Sequence, residues 1–264
     1  MRMPADQLRR MLEQTLIPPT NVVELNPDTF EATTIRLQEV EGNLAEQYQL
    51  NSSLSRTGLR RLAPRDEVEL ITEFYLTTAG DGYDELLKEG SRWALPIERC
   101  PGWVQRLIGP LSSHPAVAAT LFNCDLLVGF GDGLWRLVPD RPGLQYEGTW
   151  SAELTAQGQA APPPGPDRPA AAGVILLVGH LARASYLSGD RAFRAAAIGC
   201  GSLLGLLWAV LSSPGPAIRM SASQQFCDRT VNAAARCDGV ERGVQLVCLV
   251  DPLPEPTTGE AHHD

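Results

Sequence analysis

The hydrophobic pattern changes period near Leu121. Upstream, apolar residues recur at helical spacing; downstream, they come in short runs parted by turn residues. In the opening stretch MRMPADQLRRMLEQTL, Leu8, Met11, Leu12 and Leu16 fall on one helical stripe, which predicts a short amphipathic docking helix. IPPTNVVELNPDTF follows and is rich in turn formers, so residues 1–45 read as an arm. Residues 46–110 read as mostly helical. Within them PRDEVELITEFYL carries Val68, Leu70, Ile71, Phe74, Tyr75 and Leu76 behind a first turn of acids, and Pro96 and Pro101 break the pattern.

Beyond Leu121, CDLLVGF, GLWRLV and LQYEG are strand candidates. Gly131-Asp132-Gly133 and Pro139-Asp140-Arg141-Pro142-Gly143 part them with turn chemistry, which predicts a meander or a pair of hairpins. APPPGPDRPA, residues 160–169, reads as a proline-rich loop. In AAGVILLVGH, Val174 to Val178 are continuously apolar, as in a strand buried on both faces. Ser223 is a candidate cap for a helix holding Phe226, Val231 and Asn232. Val244 to Val250 reads as a last buried strand, and residues 253–264 as a polar tail. Strands mixed with helices argue for α+β or α/β, with the sheet drawn from the C-terminal half.

Between these strands lies the most apolar stretch. No charge stands between Arg194 and Arg219, and Gly201-Ser-Leu-Leu-Gly205 spells G-x-x-x-G, a close-approach pattern of membrane helices. Ala195–Leu211 is 17 residues long, short of the roughly 20 that cross a bilayer, and strands stand on both sides of it. The preferred reading is a buried helix covered all round by sheet or by a second subunit, with Gly201 and Gly205 marking close approach of another backbone or a flat ligand.

Composition narrows the function. Net charge is −9 and the Lys and Arg residues are scattered, which speaks against nucleic acid and anionic lipid as partners. None of the six cysteines is at C-x-x-C spacing, and two of the four histidines lie in the tail, so no metal site is expected. Cysteines in apolar runs such as GVQLVCLV act as small hydrophobes and suit a reducing cytoplasm. His180 reads as a structural histidine, and His114 has no evident partner. The glycines of Gly129–Gly133 sit in a hairpin and open no helix, unlike a nucleotide loop.

From Leu121 onward the order of residues resembles the nitroreductase-like flavoproteins, and within them the SagB-type azoline dehydrogenases. Gly189-Asp190-Arg191-Ala192-Phe193-Arg194 before a helix and Gly201 resembles the family's G-D/E-R-A-Y-R segment. Val231-Asn232-Ala233 with Asp238-Gly239 resembles its closing segment. Leu121-Phe122, Asp125 and Gly133-Leu134-Trp135-Arg136 resemble its L-Y-P-L-E and G-L-Y-R-Y strands, and residues 46–52, EQYQLNS, its Y-H-E-N-S segment. The resemblance implies an α+β fold over 46–252, with a mixed, mainly antiparallel sheet and a long buried central helix. It also implies FMN, oxidation of azoline rings in a ribosomally made peptide, and pairing through the central helix. The expected partner is a second copy or an active dehydrogenase, beside a peptide substrate or cyclising enzyme.

The same comparison assigns the site residues. For the FMN phosphate the matching cluster is Ser55-Arg56-Thr57-Gly58-Leu59-Arg60-Arg61, which offers Arg56, Arg60 and Arg61. For the ring, Gly201 and Ser202 stand at the matching helix, while Gly205 and Leu206 replace the family's Gln-Asn. The flavin turn P-S-G/A-G is here Ala116-Val117-Ala118-Ala119. The Lys-Tyr acid/base pair falls on Leu187 and Ser188, leaving adjacent Tyr186 as the candidate. Two readings follow: an FMN-dependent dehydrogenase, or a catalytically inactive relative serving as a partner subunit.

Overall fold

The computed structural model describes residues 64–151, 172–213, 218–224, 226 and 228–252. The arm 1–45, the segment 46–52, the arginines Arg56, Arg60 and Arg61, the proline-rich loop 160–169 and the tail 253–264 lie outside the described residues.

The first element is α1 (Arg65–Lys88), with Asp66 and Glu67 in its first turn and Lys88 in its last, as the helix dipole favours. It runs about three turns beyond Leu76, where the apolar pattern ended, and stops before Gly90, whose φ of +65° a side chain would resist. The short strand β1 (Ala94–Pro96) leads to α2 (Gly102–Ser112) and α3 (Pro115–Thr120). Ala116–Ala119 therefore form a helix, where a flavin turn was expected. His114 has a partner after all: its Nδ1 accepts the Ala116 N–H at 3.2 Å, capping α3 ahead of Pro115.

The strands are β2 (Cys124–Phe130), β3 (Gly133–Leu137), β4 (Gly143–Thr149), β5 (Gly173–His180), β6 (Ile218–Ser223) and β7 (Arg242–Pro252). The helices between them are α4 (Leu181–Ser188), α5 (Ala192–Leu211) and α6 (Asp228–Ala234). Strand order is β1-β4-β3-β2-β5-β7-β6, and every described pairing is antiparallel. This is an α+β fold, and six of the seven strands come from residues beyond Leu121. Ser223 closes β6 rather than capping a helix; the alternation of Ile218 and Met220 with Arg219 and Ser221 is a strand pattern.

Period-two alternation sorts the central strands between two layers. On one face Cys124, Leu126, Val128, Ile175, Leu177, Leu246, Cys248 and Val250 pack under α2 and α5. On the other, Leu127, Val174, Leu176, Val178, Val244 and Val247 pack with Trp150 and with Val231 and Ala235 at α6. β5 is buried on both faces, as its unbroken apolar run predicts.

The long central helix is covered on one stripe only: Ala192, Ala196, Gly199, Cys200, Leu203 and Leu207. Ile198 and Trp208 are exposed on its other side, and Phe193 is exposed at its start. Within the described chain one layer of sheet and helix covers it, so the second cover named for an all-apolar helix, a second subunit, falls to the open side. The close-approach glycine is Gly199, where an added Cβ would lie 3.1 Å from Cys124 Sγ; at Gly201 and Gly205 it would meet nothing within 4 Å.

Candidate functional site

A charged cluster stands at one end of the sheet, on the face away from α2 and α5. Asp125 occupies an odd position of β2, so the alternation that buries Cys124 and Leu126 under α5 turns it to the opposite layer. It is almost fully buried, and a buried carboxylate needs partners. Two arginines supply them: Arg183 Nη2 donates to Oδ1 at 2.5 Å and Arg242 Nε to Oδ2 at 3.0 Å. Burial alone would raise the Asp125 pKa; Arg183, Arg242 and Arg136 outweigh it and hold the carboxyl below its ordinary value.

The sheet register brings these groups together. His180 at the end of β5 pairs with Arg242 at the start of β7, and Asp125 pairs with Val178. α4 begins directly after β5, which sets Arg183 in its first turn. Tyr75 arrives from α1: its hydroxyl accepts from Arg183 Nη1, and its ring lies under that guanidinium at 4.7 Å and edge-on to Phe122. Across β3 and β4, Arg136 donates to Gln145 Oε1 at 2.7 Å. Glu147 lies 2.6 Å from Arg136 Nε, off the hydrogen-bonding direction, and 3.7 Å from Arg242 Nη1.

The closing segment holds Arg242 in place. Asp238 Oδ1 accepts the N–H groups of Val240, Glu241 and Arg242 at 2.7, 2.8 and 3.0 Å, and Asn232 Oδ1 accepts that of Val244 at 2.8 Å. Gly239 has φ of +78° and packs against Asn232. The residues that resemble the family's closing segment therefore form a turn that aims the first residue of β7 into the cluster.

Little here exchanges protons near neutral pH. Asp125 is held ionised, and arginine stays charged throughout the accessible range. His180 is half-buried and its Nδ1 accepts the Arg183 N–H at 3.4 Å. Burial, followed by the charge of Arg183, lowers its pKa to about 4. We expect the His180 imidazole to titrate near pH 4, read from its ring protons by NMR; a midpoint near 6.5 would contradict the burial argument. Because the folded pKa is depressed, protonation favours the unfolded chain, and stability is lost as pH falls from about 6.5 towards about 4. Ser185 donates to Ala182 O at 2.9 Å, so no Ser-His pair forms.

Tyr186 is exposed on α4, and Leu187 and Ser188 close that helix. Gly189, with φ of +51°, makes the turn into α5, which accounts for a glycine at the head of the G-D-R-A-F-R segment. Gly201 is on the exposed side of α5. Ser202 is beside it, and its hydroxyl donates to Ile198 O at 2.9 Å. Gly131, with φ of +57°, turns the β2–β3 hairpin. Among the described residues no group of His, Cys, Asp and Glu could hold a metal ion, and Cys100, Cys124, Cys200, Cys237 and Cys248 are free thiols.

FMN needs cations for a dianionic phosphate and hydrogen-bond partners on its ring. Its phosphate candidates Arg56, Arg60 and Arg61 lie outside the described residues; of the ring candidates, Gly201 and Ser202 are described. The outer face of α5 offers open glycines and a serine bonded to its own helix, while Asp125 and Glu147 already hold the clustered arginines.

The Arg183–Asp125–Arg242 cluster was not legible in the sequence. The available signal was one acid inside the apolar run CDLLVGF, which calls for a cation without saying which.

No protein-family model and no curated protein matches the chain. Several solved structures are similar to it. One is a protein of Anabaena variabilis assigned as a nitroreductase: 16% identity, TM-score 0.45, with 61% of this chain and 39% of that chain covered. The chain thus spans well under half the length of that protein. Another is the Escherichia coli microcin synthetase McbBCD complex with truncated pro-MccB17 bound: 12% identity, TM-score 0.47, 58% of this chain and 63% of that one. A third, of Ralstonia eutropha and also assigned as a nitroreductase, has 10% identity and a TM-score of 0.44, over 58% and 73% of the two chains.

Proposed function

We propose that the chain is a divergent nitroreductase-like protein of the SagB type. It acts as a partner subunit of a peptide-modifying assembly and pairs through the outer face of α5. The observation that carries this reading is the character of that face. Ile198 is 64% and Trp208 43% exposed, Phe193 stands at the helix start, and Gly201 and Gly205 leave room for a second helix to approach. Polar groups that would serve catalysis are replaced there by apolar and small ones.

α5 is long and apolar enough to cross a membrane by length and composition. Its inner stripe is committed to β2 and β5, and a helix packed on a sheet cannot be ringed by lipid. A protein partner is the occupant that such a half-covered helix fits.

Sedimentation of the purified protein tests the pairing. We expect a dimer that Ile198→Asp with Trp208→Asp converts to monomers, with the far-UV spectrum kept. A monomeric parent that also fails to retain any protein of its own pathway on co-purification would overturn the reading.

The second reading is FMN-dependent oxidation of azoline rings. The G-D-R-A-F-R turn at the head of α5 favours it, with Arg56, Arg60, Arg61, Gly201 and Ser202 as the cofactor contacts and Tyr186 as the candidate acid/base. The visible spectrum after reconstitution with FMN separates the two. We expect no retained absorbance near 450 nm; a stoichiometric flavin band would favour the dehydrogenase.

A further inference from the structure

The outer face of α5 has nearly the same order of large and small residues in either direction. Ile198 and Trp208 are its large exposed side chains, Gly201 and Gly205 its open centre, and Ala197 and Ala209 its small flanks. The two members of each pair lie equally far along the helix from Leu203, which is buried on the inner stripe. A face with this order is complementary to itself when turned about a two-fold axis. That is the condition for an isologous contact, in which residue i meets j and j meets i.

Charge sets the direction. No acid lies within Ala192–Leu211, its last turn carries no cation, and Arg191 and Arg194 stand at its start. Helical spacing puts Arg194 on the same line as Ile198, Gly201, Gly205 and Trp208. The far end of the helix is the negative pole of its dipole. An antiparallel pair brings the arginines of each chain to that pole of the other. A parallel pair would set Arg194 against the partner's Arg194 and align the two dipoles.

We propose that α5 packs antiparallel on α5 of a second copy, about a two-fold axis at Leu203. Gly201 then lies beside the partner's Gly205 and lets the helices close in, and Ile198 packs against the partner's Trp208 on either side of the axis. This orientation rests on the pairing through α5 set out above. It adds the occupant, a second copy of the chain, and the contacts that the two copies exchange.

Disulfide cross-linking reads the orientation. A disulfide needs Cα atoms within about 7 Å, whereas an antiparallel pair sets Ile198 and the partner's Ile198 about 15 Å apart along the helices. Ile198→Cys and Trp208→Cys proteins are oxidised with copper phenanthroline, each alone and mixed after subunit exchange, and covalent dimers are scored by non-reducing electrophoresis. The parent gives the background of the native cysteines. Both substituted positions are exposed, so the variants keep the fold, checked by far-UV circular dichroism. We expect a covalent dimer in the mixture, up to about half of the chains, the share that random exchange puts in mixed two-fold dimers. Neither variant alone should exceed the background. A covalent dimer from Ile198→Cys alone would mark a parallel pair and overturn the proposal. A parent that sediments as a dimer but gives no covalent product in the mixture or in either variant would overturn both the orientation and the pairing through α5. A monomeric parent that retains another protein of its own pathway would overturn the second copy and leave the partner-subunit reading standing.

Discussion

Replacing Asp125 by alanine is expected to lower stability by about 3–5 kcal/mol, the usual result of stripping one partner from a buried ion pair. The carboxylate is nearly inaccessible and accepts from Arg183 and Arg242 together. Without it, two guanidinium groups remain in a half-buried position already short of acceptors, since Arg183 Nε and Arg242 Nη2 have none. A domain is stable by only about 5–15 kcal/mol, so the variant should sit near the edge of folding. Urea denaturation measures this through the midpoint at constant m-value. A loss under about 1 kcal/mol would mean that the cluster is effectively solvated.

A second variant separates the network from its residual charge. Asp125→Leu with Arg183→Met and Arg242→Met is expected to recover most of the loss, because apolar replacement of a whole buried ion cluster is often neutral. The pH dependence has a definite sign. The folded pKa of Asp125 lies below that of the unfolded chain, so its contribution is fully present above about pH 4 and is lost as pH falls through the folded value.

Leu203→Ala is expected to cost about 2–5 kcal/mol, whereas Trp208→Gln on the same helix should change the stability of the isolated chain by less than about 0.5 kcal/mol. Leu203 is fully buried between α5 and the sheet, where the deleted atoms leave a cavity that neighbours fill only in part. Trp208, five residues on, looks outwards. Thermal unfolding of the two variants therefore reads out which stripe of α5 is inside. Comparable losses in both at low protein concentration would mean the helix is covered on both sides within one chain. A concentration-dependent loss in Trp208→Gln alone would instead report the pairing surface.

Much of the architecture was legible because its cues are local. Alternation and turn residues place β2, β3 and β4 almost to the residue, and the continuous apolar run of β5 announces a doubly buried strand. β6 was missed, and its alternation was weak: two core-facing residues among small polar ones. A proline and a histidine hid α3 inside what read as a flavin turn, although the same two residues begin that helix.

The sequence by itself determined the α+β class, the central strands, the long apolar helix and the absence of a lysine–tyrosine pair at Leu187 and Ser188. These depend on side-chain period and residue identity, which need no knowledge of neighbours. Only the tertiary structure decided which arginines neutralise Asp125, since Arg183 and Arg242 stand 58 and 117 positions away and meet it through the register of β5 with β2 and β7. It also decided which side of α5 stays open. An all-apolar helix has no polar stripe to mark its exposed face, so orientation is set by shape, with Gly199 letting the helix settle against Cys124.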